Sequence, residues 1–276
     1  MSSRAHGWLR GAAVAAALAL PATPAATLAP PLPPLVRLTL VEPAAEVAGN
    51  DARWQRAVEG TGVSLGEVLR LGPDAVARLE LPWMALTLSS GARLRFPNAL
   101  LLSAALESGR ALVESETRES MKIATGEVEV RGRGRAVVRR RAQMTLVTCL
   151  SGRFRVASAR GSVSLAAGES CVALAGRAPS APAAAPAAPS GIWPGPDPVY
   201  VGRGEPLELR WSGAAPAYQL ELLPVGSDVV LLQRDVRAAP ARIEIPWHGA
   251  FRWRVSACDE RGVEGSPSEE GLIAVE

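Results

Sequence analysis

Histidine is almost missing from this 276-residue chain: there are two, His6 and His248. A zinc site needs three or four clustered ligands, and neither histidine has such a cluster around it in sequence. His248, between Trp247 and Gly249, reads as a turn residue before a strand. Lysine is reduced to Lys122. The basic charge is therefore arginine, and without Arg4 and Arg10 near the start it stands at 28 basic against 27 acidic residues, a net of +1. A general nucleic-acid binder carries a strong basic excess, so no nucleic acid is expected as a partner. Aromatics make up 4%. No P-loop, no GxGxxG after a strand and no HExxH occurs, and no cofactor is expected. Beyond the first 25 residues nothing is apolar for the ~20 residues a membrane helix requires. Cysteine is limited to Cys149, Cys171 and Cys258. Cys149 and Cys171 could pair if their strands are neighbours; equally, all three could be small buried apolar residues.

What is present begins with an export pattern. Arg4 and Arg10 precede an unbroken apolar run, Ala12 to Leu20, and Thr23-Pro24-Ala25 supplies small residues for cleavage. Residues 1–25 are read as a signal peptide, cleaved or retained as an anchor. Export to the periplasm or beyond would permit disulfides. Residues 26–35 form a Pro/Ala tether.

Hydrophobic residues reach 48%, enough for a sizeable core, and the length allows two domains. Met121 to Leu174 alternates apolar and polar residues in short bursts: Val128 and Val130, Phe154 and Val156, Val163 and Leu165. A period of two is a strand signature. Glycines at 126, 132, 134, 152, 161 and 168 are predicted to break the bursts into short strands with tight turns. Upstream, strands are predicted at Val36–Leu40, Val68–Leu71, Ala75–Leu81, Ala85–Leu88, Arg93–Phe96, Leu100–Ser103 and Leu112–Glu114. A single helical turn is allowed over Ala52–Val58.

The stretches VRLTLVEPAAEV, RWQRAVEGTGVSLGEVLRLGPDAVARLEL, SSGARLRFPNALLL, LESGRALV, IATGEVEVRGRGRAVV, TLVTCLSGRFRV and VSLAAGES occur in the order found in the FecR domain of bacterial cell-envelope proteins. Residues 36–176 resemble that domain, which implies an all-β, short-stranded roll or solenoid-like body. Glu67 and Leu71 stand where the family usually has Asp and Thr, and Pro43 where it has Gly.

Residues 177–191 are an Ala/Pro linker, read as a semi-rigid spacer. Of the twelve aromatic residues, seven lie beyond it, a shift that marks a boundary. About seven strands follow: Val199–Tyr200, Pro206–Trp211, Ala217–Leu223, Val229–Arg234, Arg242–Ile245, Ala250–Ala257 and Gly271–Val275. Residues 192–276 resemble a fibronectin type III β-sandwich, with Trp211 as the buried aromatic. Phe251 or Trp253 falls where that family tends to carry a Tyr, so the corner hydroxyl is expected to be missing.

The densest charge cluster is Arg131, Arg133, Arg135, Arg139, Arg140 and Arg141. Alternation would line one face of a strand, where guanidinium groups grip phosphate or carboxylate; the plainer alternative is a solvated β face protecting an edge. Glu127 with Glu129, and Glu269 with Glu270, read as solvent-facing charges. Gly62-Val63-Ser64-Leu65-Gly66 matches G-x-S-x-G, but GEVLRL after it reads as a strand, and His248 would have to reach Ser64 from another domain. Three functions follow as expectations. The first is a non-enzymatic, exported binding or scaffolding module whose partner is an envelope protein or surface polymer. The second, implied by the FecR resemblance, is a membrane-spanning regulator of a sigma factor in iron-transport signalling; the helical segment expected before its membrane span has no counterpart ahead of the β domain. The third is a serine hydrolase using Ser64.

Overall fold

The computed structural model describes residues 36–42, 45–48, 53–81, 84–98, 103–115 and 121–276. The expected leader, the tether and residues 100–102 lie outside them. The described residues are all-β and contain no helix. Strands β1 (Val36–Glu42), β2 (Ala45–Ala48), β3 (Trp54–Ala57), β4 (Gly62–Val63) and β5 (Val68–Leu71) come first. Then follow β6 (Val76–Leu81), β7 (Met84–Leu88), β8 (Arg93–Asn98), β9 (Ser103–Ser115) and β10 (Met121–Ala124). The centre is β11 (Glu129–Arg141), β12 (Met144–Ser158), β13 (Gly161–Ala166), β14 (Glu169–Leu174) and β15 (Ala183–Ala184).

These fifteen strands join in one hydrogen-bonded ladder. All its pairings are antiparallel except β9 with β10. Alternation builds the core: in β12, Phe154 and Val156 are fully buried while Arg153 and Arg155, which alternate with them, face out. Leu38, Leu69, Leu79, Leu86, Leu94, Leu106 and Ile123 complete the interior.

Two expectations fail here. The allowed helical turn at 52–58 is instead β3, because β2 offers it a ladder from Ala45↔Ala57 to Ala48↔Trp54; tertiary pairing overrides a weak local preference. The centre is not a run of short strands: β11 has 13 residues and β12 has 15. Glycines 132, 134 and 152 lie inside them. Gly134 (φ 108°) faces Gly152 (φ 79°) in register, and the ladder shifts just beyond, between Arg135 and Ala136. A Cβ at either position would overlap a carbonyl oxygen of the other strand, Ser151 for Gly134 and Arg133 for Gly152. The pair is thus a bend in continuing strands rather than their end.

The Ala/Pro stretch lies along the first body: Ser180 N donates to Val172 O (2.8 Å) and Ala185 N to Gly168 O (2.8 Å). The remaining strands are β16 (Ser190–Trp193), β17 (Val199–Val201), β18 (Pro206–Ser212), β19 (Ala217–Pro224), β20 (Leu232–Val236), β21 (Ala241–Glu244), β22 (Gly249–Cys258), β23 (Glu264–Pro267) and β24 (Gly271–Val275). They form a three-stranded sheet, β16-β18-β21, and a six-stranded sheet, β17-β24-β22-β19-β20 with β23 on β22. Side chains of both sheets share one core, from Leu207, Leu209 and Ile243 on one side to Leu220, Leu222, Val255 and Ile273 on the other. Trp253 is fully buried and donates from Nε1 to Pro194 O (2.9 Å). Trp211, also buried, packs 6.4 Å from Trp253 and 5.2 Å from Tyr218. The hydroxyl expected to be missing comes from elsewhere: Tyr218 donates to Gly213 O (2.6 Å) and accepts from Ala215 N (3.1 Å). That bond pins the chain as it enters β19.

Candidate functional site

The bend in β11 divides the arginine cluster. Before it, Arg131 and Arg133 are exposed on the outer face; after it, Arg139 is buried and Arg140 half-buried. Arg135, at the bend, lies 3.0 Å from Glu114. Arg140 forks onto both oxygens of Glu127 (3.1 Å each) and donates to Glu107 O (2.9 Å). Glu127, expected to face solvent, is instead a buried anchor whose side chain is 3% exposed and which also accepts from Thr145 (2.8 Å). Arg139 turns toward the sandwich and donates to Gln219 (2.9 Å). Arg141 is exposed and lies against Gly262. The six residues therefore do not form one basic surface.

Arg131 and Arg133 gain partners that the cluster in sequence does not show. In the β11–β12 register Arg131 faces Arg155 and Arg133 faces Arg153. On the other flank Lys122 of β10 faces Arg131. On β13, Ser164 faces Arg155 and Ser162 hydrogen-bonds it (3.0 Å). Arg131, Arg133, Arg153, Arg155 and Ser164 line an open groove of about 710 Å³ floored by Gly132, Gly134 and Gly152. Among the described residues, five cations share this face with one acid, Glu129, which holds Lys122 (2.6 Å) and Arg131. Burial pushes the Glu129 carboxyl up, but hydrogen bonds from Arg131 and Lys122 outweigh it and hold it below the ordinary carboxylate range. Arg133 and Arg153 have no acidic partner among the described residues. Like charges directly opposite on neighbouring strands are unfavourable, so the two arginine pairs are not there for stability. The signal for Arg153 and Arg155 is the R-x-R of GRFRV, which repeats the period of Arg131 and Arg133; what the sequence withholds is the register that sets them side by side.

The other sequence-predicted residues lie apart. Ser64 is exposed in a turn between β4 and β5, where the Glu67 carboxylate accepts from Ser64 N (2.6 Å) and Gly66 takes φ 81°. This turn leads strand to strand, whereas a nucleophile elbow leads strand to helix. His248 is exposed in the sandwich, 3.5 Å from Arg203. Among the described residues no cluster of three or more His, Cys, Asp or Glu could hold a metal.

Of the two readings of the cysteines the structure has the second: Cys149 and Cys171 are not paired, and all three cysteines are buried free thiols. The β12–β14 register places Cys171 opposite Val147, two residues from Cys149. That diagonal separates Cβ atoms by about 7 Å, beyond the ~4 Å a disulfide needs. Burial pushes the Cys149 thiol up to about 11, with help from Glu169, and Cys171 to about 12. Burial and Glu264 push Cys258 to about 12. All three are expected to resist a thiolate-seeking reagent at pH 8 in the folded protein and to react at once in denaturant. Stopped-flow thiol labelling checks this; fast native labelling of any one would contradict its burial.

No family model and no curated protein matches the chain. Among solved structures it is similar to two crystal structures of a proposed anti-sigma factor from Parabacteroides distasonis ATCC 8503. The first is 16% identical with a TM-score of 0.35, the second 17% identical with a TM-score of 0.34. Each match covers 38% of this chain and 53% of the other. A likeness of that extent carries no weight for function.

Proposed function

We propose that this protein is a non-enzymatic, exported binding module of the bacterial cell envelope. It holds phosphate or carboxylate groups of an anionic surface polymer on the outer face of β10–β13. The observation that carries the reading is the pair of like-charged rungs, Arg131↔Arg155 and Arg133↔Arg153, on an exposed groove. Strands lie about 5 Å apart and alternate residues about 7 Å apart along each. The guanidinium groups thus form a grid that a chain of regularly spaced anions can span, and bidentate contacts would relieve the cross-strand repulsion. Export follows from the leader pattern, and the order of FecR-like motifs over residues 36–176 agrees with an envelope protein.

The test is retention on immobilised polyphosphate across a salt series. Reversing the charge at two of these arginines, Arg133→Glu with Arg153→Glu, is expected to weaken binding by about tenfold or more. It should also flatten the dependence of log K on log salt by roughly two contacts' worth, about 1.5–2 in slope. Equal binding and equal slope in the variant would remove this face from the function. The FecR-type regulator of a sigma factor is the second reading, resting on the motif resemblance alone. Finding the N-terminus intact in the cytoplasm would favour it.

A further inference from the structure

We propose that the cleft between the first β body and the sandwich is a binding site for a small monoanion, a carboxylate or phosphate group carried by a small molecule, with Arg139 as its anchor.

The cleft encloses about 360 Å³, within the size range of small-molecule sites and too small for a polymer. Arg110 and Arg139 reach it from β9 and β11, Gln219 and Gln233 from β19 and β20. All four are buried, Arg139 the most exposed of them at 6%. With Arg254, Glu221 and Glu264 they form a buried polar cluster of three guanidinium groups and two carboxylates, with Asp235 and Glu270 at its edge, 3.7 Å from Arg139 and 3.8 Å from Arg254.

The hydrogen bonds inside the cluster are unevenly shared. Glu264 gives its two oxygens to Arg110, at 2.7 Å each. Glu221 gives one oxygen to Arg254 (2.8 Å) and the other to Arg110 and Gln233 (3.1 Å each). Both carboxylates are spent on Arg110 and Arg254. Arg139 makes a single hydrogen bond, to Gln219. Its nearest carboxylates are Glu264 at 3.6 Å and the 68%-exposed Asp235 at 3.7 Å. Its Nε has no partner. A guanidinium carries five N–H donors, and leaving them unsatisfied in a buried place is costly. Water in the cleft could accept some of those bonds, but it would not cancel the charge. An oxyanion does both. The mouth of the cleft is lined by Arg141 and Arg234 together with Asp74 and Asp235; Arg139 is the buried guanidinium of the cleft that no carboxylate hydrogen-bonds. Because the walls come from both bodies, an occupant there would also fasten one to the other.

The test uses the full chain, with inorganic phosphate and succinate as probes against sodium chloride at matched ionic strength. The expected result is saturable binding of at least one probe by titration calorimetry, with a matching rise in Tm. Arg139→Gln is expected to weaken it by about tenfold or more, and Arg133→Glu with Arg153→Glu to leave it unchanged. Gln219→Glu covers the case in which Arg139→Gln does not fold: it sets a carboxylate beside Arg139, so it should raise Tm without any probe and abolish the response to the probes. The proposal is overturned if wild-type protein shows no saturable binding at millimolar probe, if Arg139→Gln binds as wild type does, if the double reversal on the outer face abolishes the effect, or if Gln219→Glu keeps the probe response.

Discussion

Arg110→Met is expected to lower the free energy of unfolding by about 3–5 kcal/mol, the range for removing one partner of a buried ion pair. Arg110 is 4% exposed and holds Glu264 through two hydrogen bonds and Glu221 through a third. Burial alone would lower its pKa; Glu264, by charge and hydrogen bond, and Glu221 more than reverse that. Methionine fills much of the volume but leaves two buried carboxylates facing fewer cations. The neighbouring apolar contact between the bodies, Val76 with Leu223 and Val230, is small and offsets little. A surface pair gives the contrast. Arg261 lies 2.9 Å from Asp259 and its side chain is 57% exposed, so Arg261→Met should cost less than about 1 kcal/mol. Urea unfolding of the three proteins at neutral pH decides it. Equal midpoints for Arg110→Met and wild type would mean that the junction contributes nothing to stability.

The same cluster fixes a sign for pH. Burial pushes Glu221 up, but Arg110 and then Arg254 outweigh burial and hold it below the ordinary carboxylate range. A carboxylate whose pKa is lowered by folding contributes stability above its unfolded value, about 4.3. That contribution is lost as pH falls through the folded value. Wild-type stability should therefore drop on acidification below about pH 4. Arg110→Met lacks the larger of the two charges holding Glu221 ionised, so its deficit against wild type should narrow there.

How far the sequence could be read is best seen residue by residue. A period of two depends only on which side chains face the core, so all-β was legible, and Val68–Leu71 was placed to the residue. The length of β11 and β12 was not. A glycine that ends a strand and a glycine that bends one look alike in sequence; the difference is whether another backbone lies where the Cβ would be. Arg133 and Arg139 look equivalent for a related reason. Six residues apart on one strand, they are separated by the bend, so one faces solvent and the other the sandwich. Arg153 joins Arg133 only through register, a long-range property. The junction cluster was illegible altogether, because Arg110, Gln219, Glu221, Gln233 and Glu264 come from distant segments whose local patterns say nothing of each other.

The bend itself is testable, and the second large effect is expected there. Gly152→Ala should destabilise by about 2–5 kcal/mol, from two separable causes. A left-handed backbone costs a side-chain-bearing residue about 1–2 kcal/mol, and Gly152 has φ 79°. The new Cβ would also overlap the Arg133 carbonyl oxygen. That atom is backbone, fixed by the β11–β12 ladder, so relief requires moving a strand, a cost of about 1–3 kcal/mol. Gly168→Ala isolates the first cause: φ there is 81°, and a Cβ would meet nothing within 4 Å. It should cost only the left-handed share, about 1–2 kcal/mol. The difference between the two variants in urea unfolding measures the overlap alone. Because Arg133 and Arg153 flank the bend in register, Gly152→Ala should also disturb their rung and weaken polyphosphate retention, whereas Gly168→Ala should not. Equal stability losses would mean that the strands yield easily at this point. The division of the arginines between an outer face and a buried junction would then need a cause other than this glycine pair.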